Sequence, residues 1–299
     1  GPPQVGKRTL ATEFARAIQC AGGGQPCGAC RPCQLIGRGV HPDVITVRGE
    51  GARRAILVDQ VRAVRREASL APVEGRRRIY ILCNMELANE SAANALLKVL
   101  EEPPAHALFL LTAVSEELVT PTILSRCQVL SLRPSSRGEI ERALRERWGA
   151  SAEQAALLSR LSGGRMGKAL TLLGNETLLS RRKAALERLQ ELLSAHDGRR
   201  LALAGDLASR PEQLPDVLEI WLSWWRDALL AHAGLGEQIV NIDRRGELMA
   251  RRETFSVAQL HAALAALQTC ADHLQRNVNA RLAVERLVLH LPAAGANKG

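Results

Sequence analysis

A chain of 299 residues, 46% apolar and 24% charged, is long enough for two or three packed domains and is neither fibrous nor intrinsically disordered in composition. No apolar run approaches the ~20 residues a membrane-spanning helix needs and no signal peptide is visible, so a cytosolic protein with no membrane partner is expected. The formal charge of +9 suits an acidic partner such as nucleic acid. Yet 35 of the 40 basic residues are arginine and lie scattered rather than striped, a skew that genomic base composition also produces.

The opening stretch GPPQVGKRTLATEF sets Gly1, Gly6 and Lys7 at the spacing G-x-x-x-x-G-K-[ST], in which backbone amides cradle phosphates and the lysine reaches the terminal ones. The hydroxyl that should follow Lys7 to hold magnesium is replaced by Arg8. Thr9 comes one residue late on a helix turning about 100° per residue, which misplaces the ligand. Because such a loop normally follows a β-strand, an upstream segment is expected to precede Gly1.

Residues 9–20 place Leu10, Phe14, Ala17 and Ile18 on one helical face, and Gly22, Gly23 and Gly24 stop that helix. An apolar run at Val44–Val47, a helical pattern over 58–66, a strand over 79–82, a helix over 91–100 and a strand at Ala107–Leu111 follow. A short helix through Ile123 leads to a last strand, residues 128–132. Alternating elements of these lengths predict an α/β domain over 1–133, a parallel sheet covered on both faces through right-handed crossovers. After Pro134 strand signals vanish. Helical periodicity predicts a small all-α segment over 134–173 and a larger one over 174–299, interrupted at Ser162-Gly163-Gly164 and around Gly234 to Gly236.

Seven cysteines fall at 20, 27, 30, 33, 83, 127 and 270. Cys20, Cys27, Cys30 and Cys33 sit at a helix end and in a Gly/Pro-rich loop able to wrap an ion, and four thiolates suit tetrahedral Zn²⁺. A disulfide pair is the rival that a cytosolic setting disfavours, and four thiolates would also satisfy an iron-sulfur cluster. Four protein ligands leave no open position, so the metal would staple the insert 20–33 rather than catalyse. Cys83 and Cys270 lie in apolar runs and are expected in the core.

A phosphate-loop ATPase carries acidic residues for magnesium and water at the end of an apolar strand. Here the strand 79–82 runs into Cys83-Asn84. A thiol is a poor ligand for a hard cation and a neutral amide cannot take a proton from water, so hydrolysis by this chain is not expected.

The stretch SAANALLKVLEEPP from Ser91 to Pro104, the triplet Ser125-Arg126-Cys127 and the four-cysteine insert resemble the bacterial clamp-loader subunits of the AAA+ superfamily. The likeness spans the chain, strongly from Gly1 to Leu132 and weakly in the C-terminal helices. It implies an AAA+ α/β domain with a zinc insert, then a small helical lid and an all-α collar that holds subunits in a ring. The lost catalytic residues imply a non-hydrolysing member within the DNA polymerase III holoenzyme, a nucleotidyltransferase complex. Implied partners are gamma/tau ATPase subunits, a delta subunit, the sliding clamp and primed DNA. Arg126, flanked by Ser125 and Cys127, is the implied trans-acting arginine finger, aimed at a neighbour's ATP. Whether Gly1, Gly6 and Lys7 still bind ATP is left open.

Aligning Ala169-Leu170 with the lid motif of active relatives puts Gly167 where their arginine stands, and Arg165 and Lys168 have the wrong spacing to replace it. The rival readings are an ATP-hydrolysing gamma/tau-like subunit, a stand-alone AAA+ enzyme, and a zinc-dependent nucleic-acid-binding module, the last disfavoured by scattered arginines and scarce aromatics. In the helix 91–100, Ala92, Ala95, Leu96, Val99 and Leu100 suit a core, whereas Asn94, Lys98 and Glu101 would face solvent or DNA. Trp221, Trp224 and Trp225 recur at i, i+3 and i+4, which fits helix packing better than base stacking. His41 has no second histidine nearby and reads as structural.

Overall fold

The computed structural model describes residues 1–50, 55–276 and 278–293. The last residues of the expected C-terminal segment, 294–299, lie outside them. The chain divides into two compact units, Gly1–Ser135 with Gly164–Lys168, and Ser136–Gly163 with Ala169–Gly299.

The first unit is built on a parallel sheet of β1 (Val44–Val47), β2 (Arg78–Leu82) and β3 (Ala107–Leu111), in that spatial order. β2 is central and buried along its length. Side chains alternate across a strand, so Tyr80 and Leu82 enter one core and Ile79 and Ile81 the other. The first core is closed by α3 (Val58–Ala68) and α4 (Glu90–Glu101), the second by α1 (Lys7–Gln19) and α2 (Arg31–Arg38). Both faces are therefore covered, as a parallel sheet requires. On α4, Ala92, Leu96 and Val99 are buried while Asn94, Lys98 and Glu101 are exposed.

Two elements depart from the expectations. Residues 128–132 form no strand, and Val129 and Leu130 are 47% and 72% exposed. Apolar content gives strand propensity, but a strand exists only through a ladder, and among the described residues β3 pairs with β2 alone. The second departure is α2, whose first turn holds Cys33, a residue expected in the Gly/Pro-rich loop. Pro32 in its first turn and Gly39 in a left-handed cap at its end are the local signals.

Asp43, at the entry to β1, fixes the turn before β2. Its carboxylate is fully buried and accepts the backbone N–H groups of Val73 (2.7 Å), Glu74 (2.9 Å) and Gly75 (2.7 Å). The buried His41 ring accepts the Asp43 N–H through Nδ1 at 3.0 Å, in keeping with a structural histidine. Burial alone would push the Asp43 carboxyl up, but the three N–H donors and then His41 outweigh it and hold it below its ordinary value. Such a group stabilises the fold above its unfolded pKa, near 4, and the contribution fades as pH falls through the lower folded value. Asp43→Asn should cost about 2–3 kcal/mol at neutral pH, since it leaves backbone donors poorly matched. Urea unfolding between pH 3 and pH 7 checks this, and the variant should lose part of the acid dependence of the parent.

The second unit begins with α6 (Arg137–Trp148) and α7 (Ala152–Leu161), and α5 (Pro121–Leu124) precedes them in the first unit. α8 (Met166–Leu173) starts in the first unit and ends in the second, where α9 (Glu176–Ser194), α10 (Asp197–Ala208), α11 (Leu214–His232), α12 (Arg245–Ala250), α13 (Val257–Gln275) and α14 (Ala280–His290) follow. Trp221, Trp224 and Trp225 are at most 1% exposed, and Trp221 donates Nε1–H to the Ala185 carbonyl at 2.8 Å, so these rings are core. Arg200 is buried and donates to the carbonyls of Leu192, Val288, Leu291 and Pro292, satisfying the C-terminal ends of α9 and α14. Among the described residues no helix is long and apolar enough to cross a membrane.

Candidate functional site

The phosphate loop reaches α1 through Gly6, whose φ of 105° is a conformation that favours glycine. Lys7 does not extend from the loop. Its ammonium donates to the carbonyls of Gly1 and Pro2, the latter at 2.8 Å, and burial lowers its pKa while the nearby Glu86 carboxylate partly restores it. Arg8 and Thr9 are both exposed on the first turn of α1.

At the end of β2, burial pushes the Cys83 thiol up, which keeps it protonated and a still poorer ligand for a hard cation. Asn84 takes a left-handed conformation (φ 62°), donates its N–H to Thr112 Oγ1 at 3.1 Å and its side-chain Nδ2 to Glu86 Oε1 at 3.1 Å. Glu86 is the acid that sequence reasoning missed. It lies two residues past the expected position, in a short 3-10 turn, and its Oε2 accepts the Val114 N–H at 3.3 Å. Gly167 donates its N–H to the Gln4 carbonyl at 2.8 Å, and a Cβ at 167 would stand 2.8 Å from that oxygen. An arginine at 167 would thus collide with the loop it should serve.

The four cysteines meet as one cluster. Cys20 follows the last turn of α1, Cys30 and Cys33 bracket the start of α2, and Cys27 lies in the intervening loop. Their sulfurs all lie within 4.8 Å of one another, with Cys20 and Cys30 3.9 Å apart. Four thiolates around a metal at about 2.3 Å stand about 3.8 Å apart, so this donor set fits one tetrahedral ion. The Cys30 N–H donates to Cys27 Sγ at 3.3 Å, which orients that sulfur. Among the thiols themselves the Ala21 N–H leads the groups that hold Cys30 down to about 6, while burial pushes Cys33 up to about 11.

Arg126 follows α5 and is one-third exposed. Its guanidinium donates to Glu101 Oε1 at 2.7 Å, the Thr122 carbonyl at 2.9 Å and Ser125 Oγ at 3.1 Å. Ser125 thus touches Arg126 directly, whereas Cys127 packs against the core beneath α4. Glu101, from the Glu-Glu-Pro-Pro run, is the partner that the sequence did not pair with Arg126.

A parallel sheet entered through a glycine-lysine loop, with helices on both faces and a helical unit after it, defines an NTPase-type domain with a helical appendage. Residues 1–136 match the family described as DNA polymerase III, delta subunit, and residues 176–292 match DNA polymerase III, delta subunit, C terminal. DNA polymerase III subunit delta' of Pseudomonas aeruginosa is 34% identical over 237 residues, covering 78% of this chain and 70% of that protein. The delta' subunit of Escherichia coli is 30% identical over 295 residues, 97% of this chain and 86% of that protein. DNA polymerase III subunit tau of Escherichia coli is 34% identical over 179 residues, but these cover only 58% of this chain and 27% of tau. The chain belongs to the delta' family of DNA polymerase III subunits.

Proposed function

We propose that this chain is the non-hydrolysing delta' subunit of the clamp loader of the DNA polymerase III holoenzyme. It assembles in a hetero-oligomeric ring with gamma/tau ATPase subunits and a delta subunit in the cytoplasm, and helps place the sliding clamp on primed DNA. In this reading residues 134–173 act as a lid and 174–299 as the collar through which the ring is held. Zinc on Cys20, Cys27, Cys30 and Cys33 is structural, and Arg126 acts as a finger on a neighbour's nucleotide.

The observation that carries the reading is the joint loss of the parts of an ATPase site: Arg8 in place of a hydroxyl, Cys83-Asn84 in place of acids, and Gly167 packed on the loop where a side chain has no room. With Lys7 engaged by Gly1 and Pro2, catalysis would need a metal ligand and a base that Arg8, Cys83 and Asn84 do not supply. Glu86 is the acid that acts on Lys7, and both its oxygens are already hydrogen-bonded. The purified chain should release no phosphate from Mg²⁺-ATP above the background of its Lys7→Ala variant. Turnover that Lys7→Ala abolishes would make the chain a gamma/tau-like ATPase instead. Nucleotide binding without turnover leaves the proposal standing, because glycine amides and a lysine suffice to grip phosphates.

A further inference from the structure

Arg8, the residue that spoils the phosphate-loop motif, lines a basic groove along α1. The groove has a volume of about 350 Å³ and runs between α1, α2 and β1, lined among others by Arg8, Thr12, Arg16, Arg38, Thr46 and Arg48. On α1, Arg8, Thr12 and Arg16 recur every four residues and share a face. Arg48 lies just beyond the C-terminal end of β1, and Arg38 ends α2 ahead of the strand.

The arginines fall into two pairs. Arg8 and Arg48 both act electrostatically on Cys83 and so share one end. At the other end Arg16 extends against Gly37, in contact with the space a Cβ there would take, beside Arg38. From Arg8 to Arg16 is eight residues of helix, about 12 Å. Glu13 is the one carboxylate lining the groove among the described residues, and it is engaged by Arg16 Nη1 at 2.6 Å. The side chains of Arg8, Arg38 and Arg48 have no hydrogen-bond or ion-pair partner among the described residues, and Arg16 Nε is buried without one. Guanidinium groups left unpaired around a walled groove repel one another unless an anion joins them.

We propose that this groove binds the phosphate backbone of a nucleic-acid strand. One phosphate would need one arginine pair. Two pairs whose α1 members, Arg8 and Arg16, lie about 12 Å apart along the helix, with Thr12 on the same face between them, suit more than one phosphate of an extended strand. Among the described residues no aromatic ring lines the groove, so contacts are to the backbone and independent of sequence. The site is separate from the phosphate loop, because Lys7 is turned toward Gly1 and Pro2 and does not line it. The choice of nucleic acid draws on membership of a DNA polymerase III family and not on the non-hydrolysing reading. A failure here leaves that reading untouched.

The test uses the full chain and a fluorescent single-stranded oligo(dT), with anisotropy followed from low to moderate salt. Arg38→Ala with Arg48→Ala should weaken binding about tenfold and flatten the dependence of log affinity on log salt by about 0.7 per lost phosphate contact. The exposed pair Arg65→Ala with Arg66→Ala, equal in charge but on α3, should bind within twofold of the parent. Unlabelled oligo(dT) should displace the probe at far lower phosphate concentration than ATP or inorganic phosphate. The proposal is overturned if the parent does not bind at low salt, if the two double variants weaken alike, or if ATP or phosphate competes as well as the strand.

Discussion

In an assembled clamp loader, Arg126→Ala should enter the complex normally and lower DNA- and clamp-stimulated ATP hydrolysis at the adjoining site by roughly 10³-fold, the low end for arginine fingers in other NTPases. Its own fold should be nearly unaffected. In the free chain the guanidinium is tied to Glu101, Thr122 and Ser125 at the surface, and an exposed ion pair of this kind contributes at most about 1 kcal/mol. The same weakness lets Arg126 leave Glu101 for a phosphate without a large cost. Lysine should rescue poorly, since its point charge lacks the planar fork that spans two oxygens. Total turnover should fall only in part if other interfaces in the ring carry fingers of their own. Single-turnover hydrolysis with a gamma/tau subunit disabled in its own phosphate loop at every other site isolates the relevant step. A wild-type rate there would remove the trans-acting role from Arg126 and leave the triplet a packing element.

How much of this was legible in the sequence depended on how local each signal is. β2 was readable because a central strand buries both faces, and Ile79-Tyr80-Ile81-Leu82 is therefore apolar at every position. The tryptophans were readable as core because their i, i+3, i+4 spacing belongs to one helix face. The cysteine cluster was readable because its ligands lie within fourteen residues, close enough for spacing to constrain geometry.

Residues 128–132 were misread for the complementary reason, as strand propensity is local but a strand is defined by its neighbour. The pairing of Arg126 with Glu101 joins positions 25 apart, and the clasp of Asp43 on 73–75 spans 30 or more. Nothing in either local pattern announces such contacts. The arginines make the same point about charge. In the sequence they are scattered, but the crossover from α1 through α2 to β1 brings Arg8, Arg16, Arg38 and Arg48 around one groove. Scatter along a chain is therefore no measure of scatter in space.

Protein purified without chelator should carry one zinc ion per chain, and Cys33→Ser should abolish that stoichiometry. Cys33 is the buried ligand in the first turn of α2, so its loss removes the metal and also leaves a hydroxyl among apolar neighbours. Without the ion, Cys27 and the loop ahead of it have little else to hold them: the residues from 21 to 29 are exposed, and the loop joins α1 to α2 with few side-chain contacts. Structural zinc is bound by about 10–16 kcal/mol in small metal-dependent domains. Here both cores of the first unit are built from residues other than the four cysteines, so only part of that energy should register as stability. A fall of several kcal/mol, or roughly 10 °C in Tm, is expected for the first unit. The same fall should follow strong chelation of the parent and reverse when zinc is returned. Because the ligands bind as thiolates, loss of metal should become easier as pH falls, with protons taking the place of the ion. Iron in place of zinc, or a metal-free protein whose stability chelators do not change, would overturn the assignment.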